Sequence, residues 1–127
     1  MALARITTGL VSDLRTQIKN KLISDMTHVG VGTGNSTPSA SQTELDAQVL
    51  RKARIEFTNL LNSVVISGYF NAADANSNTL LEGGTFSSSG GATLKSRFLI
   101  NPLVKTDDKE LWIDNEIKVR IVQESES

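Results

Sequence analysis

Cysteine is absent from this 127-residue chain, and that absence removes disulfide staples, thiolate metal ligands and cysteine nucleophiles together. Stability must then come from a packed core, from metals or from oligomerisation, and a chain of this size buries roughly two-thirds of its unfolded surface, enough for one core. Histidine occurs once, at His28, which is too few for a histidine-rich metal centre or a recognisable Ser-His pairing. No run of about 18 apolar residues is present, so no spanning helix is expected. Met1 to Ile6 has one basic residue and no continuous apolar stretch, so no secretory leader is expected there either. An excess of one charge is also missing. Thirteen Lys and Arg stand against fourteen Asp and Glu, leaving no excess basic field to hold a polyanion, which disfavours nucleic-acid binding by bulk charge. Aromatic residues make up only 5% of the chain, so most are expected in the core.

What is present reads as a mainly β chain. Leu10, Val11, Leu14, Ile18 and Leu22 recur at helical spacing, with Asp13, Arg15, Gln17, Lys19 and Asn20 opposite them, which predicts an amphipathic helix over 8–23 capped by Thr7 or Thr8. A strand follows over 27–32, then a surface loop of turn-forming residues over 33–41. Ser41-Gln42-Thr43-Glu44 matches a capping box and predicts a short helix over 42–51. From 53 to 122 the pattern is of antiparallel strands. Ala53 to Thr58 and Val64 to Phe70 form a hairpin, Leu80 to Phe86 is interrupted by Gly83-Gly84, Thr93 to Ile100 is ended or placed at an edge by Pro102, and Glu110 to Ile121 alternates cleanly. Residues 123–127 are polar and expected to fray. The fold class predicted is an antiparallel β-sandwich or partly open barrel, in one domain, with an N-terminal amphipathic helix and one short helix.

Gly30-Val31-Gly32-Thr33-Gly34-Asn35 superficially resembles a nucleotide loop. It lacks the Lys-Ser or Lys-Thr that reaches phosphates, and no helix opens from it, so the glycines instead mark backbone approached closely by a neighbouring strand or a ligand. Asp114 and Glu116 share a strand face at a spacing used by acid/base pairs and by Ca²⁺ sites, but they alternate with apolar residues as a solvent face does. Glu82, the lone charge beside Leu80 and Leu81, needs a partner, and an inter-subunit Arg97 or Arg54 is the candidate. Trp112 is the aromatic residue that would serve a sugar platform. No catalytic, metal or cofactor site is predicted.

Thr7-Thr8-Gly9-Leu10, then Thr27 to Gly34, Thr43-Glu44-Leu45 and Arg51-Lys52 follow one another in an order that continues through Leu81 to Phe86, Gly90-Gly91, Arg97, Val104-Lys105-Thr106 and Trp112-Ile113. In this order the chain resembles, over nearly its whole length, small structural proteins of tailed bacteriophages and related viruses of the tail-fibre or baseplate-associated kind. The resemblance implies a non-enzymatic virion component, made in the host cytoplasm, that acts as a connector at the tail tip, baseplate or fibre attachment. Its partners would be copies of itself and other virion structural proteins, with no nucleic acid and no membrane insertion. Candidate interface residues are Leu10, Leu14 and Ile18 on the helix, Gly34, Asn35 and Pro38 in the loop, and the Glu82 and Arg97 charges. The alternatives are a host-surface glycan-binding module using Trp112, and a capsid decoration or head-surface protein.

Overall fold

The computed structural model describes residues 4–121. One helix, α1 (Thr8–Asp25), precedes seven strands: β1 (His28–Gly32), β2 (Gln48–Ala53), β3 (Glu56–Asn59), β4 (Ser63–Phe70), β5 (Asn78–Phe86), β6 (Leu94–Lys105) and β7 (Leu111–Lys118). They form two antiparallel sheets, ordered β2-β1-β5-β6 and β3-β4-β7, so the fold is sandwich-like and not a closed barrel. Val29, Val31 and Leu80 from the first sheet meet Val64, Ile66, Phe70 and Ile113 from the second, and Met26 at the end of α1 closes the cluster. Alternation along β4 and β7 gives each strand a face toward the core and a face away from it, whereas the second face of β1 is glycine and is covered by other residues.

The two sheets approach closely at Gly68 on β4. A methyl group there would lie 2.6 Å from a Val29 methyl on β1, so the β-branched side chain is accommodated by removing the opposing one. Polar groups inside the sandwich are paired: the Thr85 and Ser96 hydroxyls of neighbouring strands are 2.6 Å apart, and Asn115 of the other sheet donates to Ser96 at 2.8 Å.

Three expectations change. The short helix over 42–51 does not form; residues 42–47 are bend and irregular chain, and Gln48–Ala53 is a strand paired with β1. The local capping signal loses because the backbone N–H groups of Asp46 and Ala47 bind a buried carboxylate, and Thr33 N–H takes the Ala47 carbonyl. The single strand expected from Ala53 to Thr58 is two strands in different sheets. Arg54 N–H bonds Thr27 in one sheet and Ile55 N–H bonds Ser67 in the other, so the chain changes layer between them. Finally, α1 buries only part of its expected apolar stripe, with Leu22 packed against the core and Val11 and Leu14 half-buried. Leu10 and Ile18 are exposed, whereas Lys19 is buried with its ammonium donating to Asn59 Oδ1 at 2.9 Å and to the carbonyls of Leu60 and Leu61 at 2.7 and 3.3 Å. Those carbonyls belong to the β3–β4 hairpin and have no ladder partner of their own, which is why a cation is drawn to them.

Pro102 sits inside β6 and is tolerated because β6 is an edge strand. The ladder with β5 shifts between Leu80 and Glu82, opposite the proline, and again between Thr85 and Phe86, so the irregularities flank Gly83-Gly84. Gly83 itself admits the Phe98 ring, which an added methyl would meet at 2.7 Å.

Substituting Gly68→Ala should lower unfolding stability by about 1–3 kcal/mol, because the sheets must separate at Val29. Gly90→Ala, where an added methyl meets nothing within 4 Å, should be neutral or slightly stabilising. Urea denaturation of the two variants against wild type checks both.

Candidate functional site

The most highly organised polar site lies on the face of the first sheet that points away from the core. Glu82 on β5 is wholly buried, and each of its oxygens accepts two hydrogen bonds. Oε1 takes Asp46 N–H at 2.9 Å and Arg97 Nε at 2.8 Å; Oε2 takes Gly34 N–H at 2.7 Å and Ala47 N–H at 2.9 Å. Arg97 on β6 has a side chain only 2% exposed and continues the network, donating to the Ser36 carbonyl at 2.7 Å and to Asp46 Oδ2 at 3.0 Å. Asp46 in turn accepts from the Ser36 N–H and hydroxyl and from Gln42 Nε2.

The glycines of the 30–34 stretch are explained by this site. A methyl on Gly32 or Gly34 would lie 2.7 or 2.6 Å from Glu82 Oε2, and within 2.4 or 2.2 Å of the 46–47 segment. The anion that approaches the glycine loop is therefore the chain's own carboxylate. Gly30 serves a different neighbour: the Phe86 ring lies where its methyl would be, and the Arg51 guanidinium covers that ring at 3.5 Å.

Burial by itself raises the pKa of Glu82. The Arg97 bridge and the amides of Ala47, Asp46 and Gly34 outweigh that effect and hold it below the usual carboxylate range. The hydroxyl and amide of Ser36 likewise lower Asp46, with Arg97 and Gln42 adding to them. A carboxylate that is ionised, sealed from solvent and saturated by four donors has no free lone pair with which to accept a substrate proton. Its chemistry is to hold residues 33–47 against the sheet.

The structure thus unites Gly34, Glu82 and Arg97 in one network. It also corrects their expected role: Glu82 finds Arg97 in its own chain, and both are too buried to touch a neighbouring subunit. Arg54 is engaged elsewhere, capping the carbonyls of Ile23 and Met26 at the end of α1. Asn35 and Pro38 are exposed on the loop the network anchors, and Pro38 borders a cavity of about 350 Å³ with Gln42, Leu94 and Arg97. Leu10 and Ile18 are exposed and Leu14 half-buried on α1, away from this loop. Trp112 is 49% exposed on the outer face of the second sheet, its indole N–H donating to Asp114 Oδ1 at 2.8 Å and its ring 5.9 Å from Tyr69. Asp114 and Glu116 each accept a hydroxyl from β4, Ser67 at 2.7 Å and Ser63 at 2.9 Å. His28 Nδ1 lies 2.8 Å from the Thr27 hydroxyl. Among the described residues, no three His, Asp or Glu side chains gather where they could hold a metal ion.

Sequence reasoning missed Asp46, whose flanking turn carried only a helix signal, and Lys105. The latter is fully buried with its ammonium satisfied by Asn76 Oδ1 at 2.9 Å and the carbonyls of Thr106 and Ala72 at 3.1 and 3.4 Å. The chain matches no protein-family model, and no curated protein is significantly similar to it.

Glu82→Gln keeps the shape but removes the carboxylate at Arg97 Nε, leaving that buried guanidinium Asp46 as its remaining ion-pair partner, and should cost about 3 kcal/mol at neutral pH. Because the folded pKa of Glu82 lies below its ordinary 4.5, its contribution is present above that pH and lost as pH falls through the folded value. The stability gap between wild type and Glu82→Gln in urea titrations should therefore be constant from pH 7 to about 5 and shrink below about 4.5.

Proposed function

We propose that this chain is a non-enzymatic structural component of a virus particle that assembles with copies of itself and with neighbouring structural proteins, as a connector at the tail tip, baseplate or fibre attachment of a tailed virus. The observation that carries the assembly reading is the free edge of the second sheet. All four residues of β3 are exposed, and among the described residues no strand pairs with its outer edge. Ile55, Phe57, Leu60 and Leu61 are exposed along it, Leu61 at 80%. Lys19 bonds the Leu60 and Leu61 carbonyls and Arg54 bonds those of Ile23 and Met26, so α1 is tied to the chain on either side of β3. An unpaired edge with no lysine or proline on it, bordered by large apolar side chains, is a surface that isolated proteins avoid and assemblies use.

Two further features support this reading. The exposed 35–41 loop is held by the Glu82–Arg97 network, so it is presented in one shape and loses little entropy on contact with a partner. The order of motifs along the chain resembles that of tail structural proteins, which supplies the viral part of the proposal.

One observation favours a second reading, a glycan-binding module. Trp112 and Tyr69 stand side by side on an open sheet face, with the Asp114 carboxylate fixed at the indole edge, and aromatic faces flanked by a carboxylate suit pyranose rings.

Sedimentation velocity over a concentration series should show reversible self-association. Phe57→Glu, with an unchanged circular dichroism spectrum, should weaken it at least about tenfold, roughly 1.4 kcal/mol. A wild-type chain that stays monomeric throughout contradicts the assembly reading. On a glycan array, saturable binding abolished by Trp112→Ala would establish the second reading in its place.

A further inference from the structure

We propose that β7 is a self-complementary edge, which pairs antiparallel with β7 of a second copy of this chain about a two-fold axis at Ile117. The strand lies at the end of the sheet ordered β3-β4-β7, and among the described residues no strand pairs with its outer side. This is the opposite edge from β3, so the inference goes beyond the contact proposed above and does not rest on it.

The order of charges carries the inference. From Ile113 to Arg120 exposed side chains alternate with more covered ones, and the exposed ones are Asp114, Glu116, Lys118 and Arg120, two acids followed by two bases. Set against a copy of itself running the other way, with Ile117 facing Ile117, the strand brings Asp114 to Arg120 and Glu116 to Lys118, and the same two pairs recur beyond the axis. Moving the axis by one residue sets Glu116 against Glu116 or Lys118 against Lys118. Moving it by two sets Asp114 against Glu116 or Lys118 against Arg120. Only the register centred on Ile117 joins opposite charges throughout. Charges that merely keep sheet edges apart need one sign, whereas this order repels in the neighbouring registers and attracts in one.

The backbone agrees with that register. Val119 N–H donates to the Asn62 carbonyl at 2.7 Å, continuing the ladder in which Ser63 faces Lys118, so odd-numbered residues here turn their backbone polar groups to β4 and even-numbered ones turn theirs to the open edge. With Ile117 on the axis, even-numbered residues stand opposite even-numbered ones, and the open N–H and C=O groups of Glu116 meet those of Lys118. The side chains are also available. None of the four charges is in an ion pair among the described residues. Ser67 and Trp112 engage Asp114 through Oδ1, and Ser63 engages Glu116 through Oε2, which fixes each acid and leaves its second oxygen for a cation. Pairing in this way makes one continuous six-stranded sheet with a β3 edge open at each end.

The test uses the full-length chain carrying Phe57→Glu, which removes the β3 contact, and sedimentation velocity over a concentration series should still show a dimer. Lys118→Glu with Arg120→Glu makes the edge wholly acidic, and Asp114→Lys with Glu116→Lys makes it wholly basic. Each pair of changes, with an unchanged circular dichroism spectrum, should weaken dimerisation at least about tenfold, and an equimolar mixture of the two variants should restore it to within about threefold of the parent. The chain has no cysteine, so Ile117→Cys supplies a single thiol. Facing residues of a pair without ladder bonds have Cα atoms about 4.5 Å apart, within disulfide reach, so mild oxidation should link two copies through Ile117→Cys but not through Asp114→Cys, which faces Arg120 instead of itself. Dimerisation indifferent to the charge changes, a mixture that stays monomeric, or no disulfide dimer at position 117 overturns the β7 pairing. If wild type associates and the Phe57→Glu chain is monomeric, the β7 pairing falls and the β3 contact stands. If Phe57→Glu changes nothing while the charge variants dissociate, the β3 contact falls and the β7 pairing stands.

Discussion

A carboxylate with no solvent contact holds the first sheet and its covering loop together. An ionised Glu82 is tolerable only because four donors surround it, and three of those donors are backbone N–H groups of Gly34, Asp46 and Ala47. The requirement runs outward from there. The segment bearing those amides must come within reach, so Gly32 and Gly34 can carry no side chain, residues 42–47 cannot be helical, and Leu45 settles over Gly84. Arg97 then ties the loop at Ser36 and Asp46. A stretch that would otherwise be a long mobile connection becomes a fixed surface.

The same device recurs in cationic form. In a chain without cysteine, irregular segments are fastened by charged side chains driven into backbone carbonyls: Lys19 into the β3–β4 hairpin, Lys105 into the loop before β5, Arg54 into the end of α1, and Arg51 into the 88–91 turn beneath its stack on Phe86. Each satisfies acceptors that no ladder reaches, and each holds a connection that side-chain packing alone leaves loose. Arg15 stands apart, its Nε buried without an acceptor.

How much of this the sequence discloses depends on whether the signal is local. The alternation in β4 and β7, the Thr7 cap and the helical repeat after it are nearest-neighbour patterns, and the strands and α1 formed where they indicated. The Ser41–Glu44 capping box is equally local and misleads, because the amides it would leave to a helix are claimed by a glutamate 35 and 36 residues away. Lys19 misleads for the same reason: its polarity places it on the solvent side, yet hairpin carbonyls 41 and 42 residues on draw it inward. Glu82 was legible as a lone acid in an apolar strand, and Arg97 as a possible mate. Asp46 was not, since an aspartate in a turn has no pattern that distinguishes a network member from a solvated charge.

The account therefore turns on whether a loop without regular secondary structure is as firmly held as the strands beneath it. Amide hydrogen exchange of the wild-type chain measures this at single residues. The account predicts that the amides of Gly34, Asp46 and Ala47 exchange only at the rate of global unfolding, as Val29 and Ile66 do, while exposed Thr37 and Ala40 exchange freely. Exchange of Asp46 and Ala47 at loop-like rates would show that Glu82 does not hold them, and would contradict it.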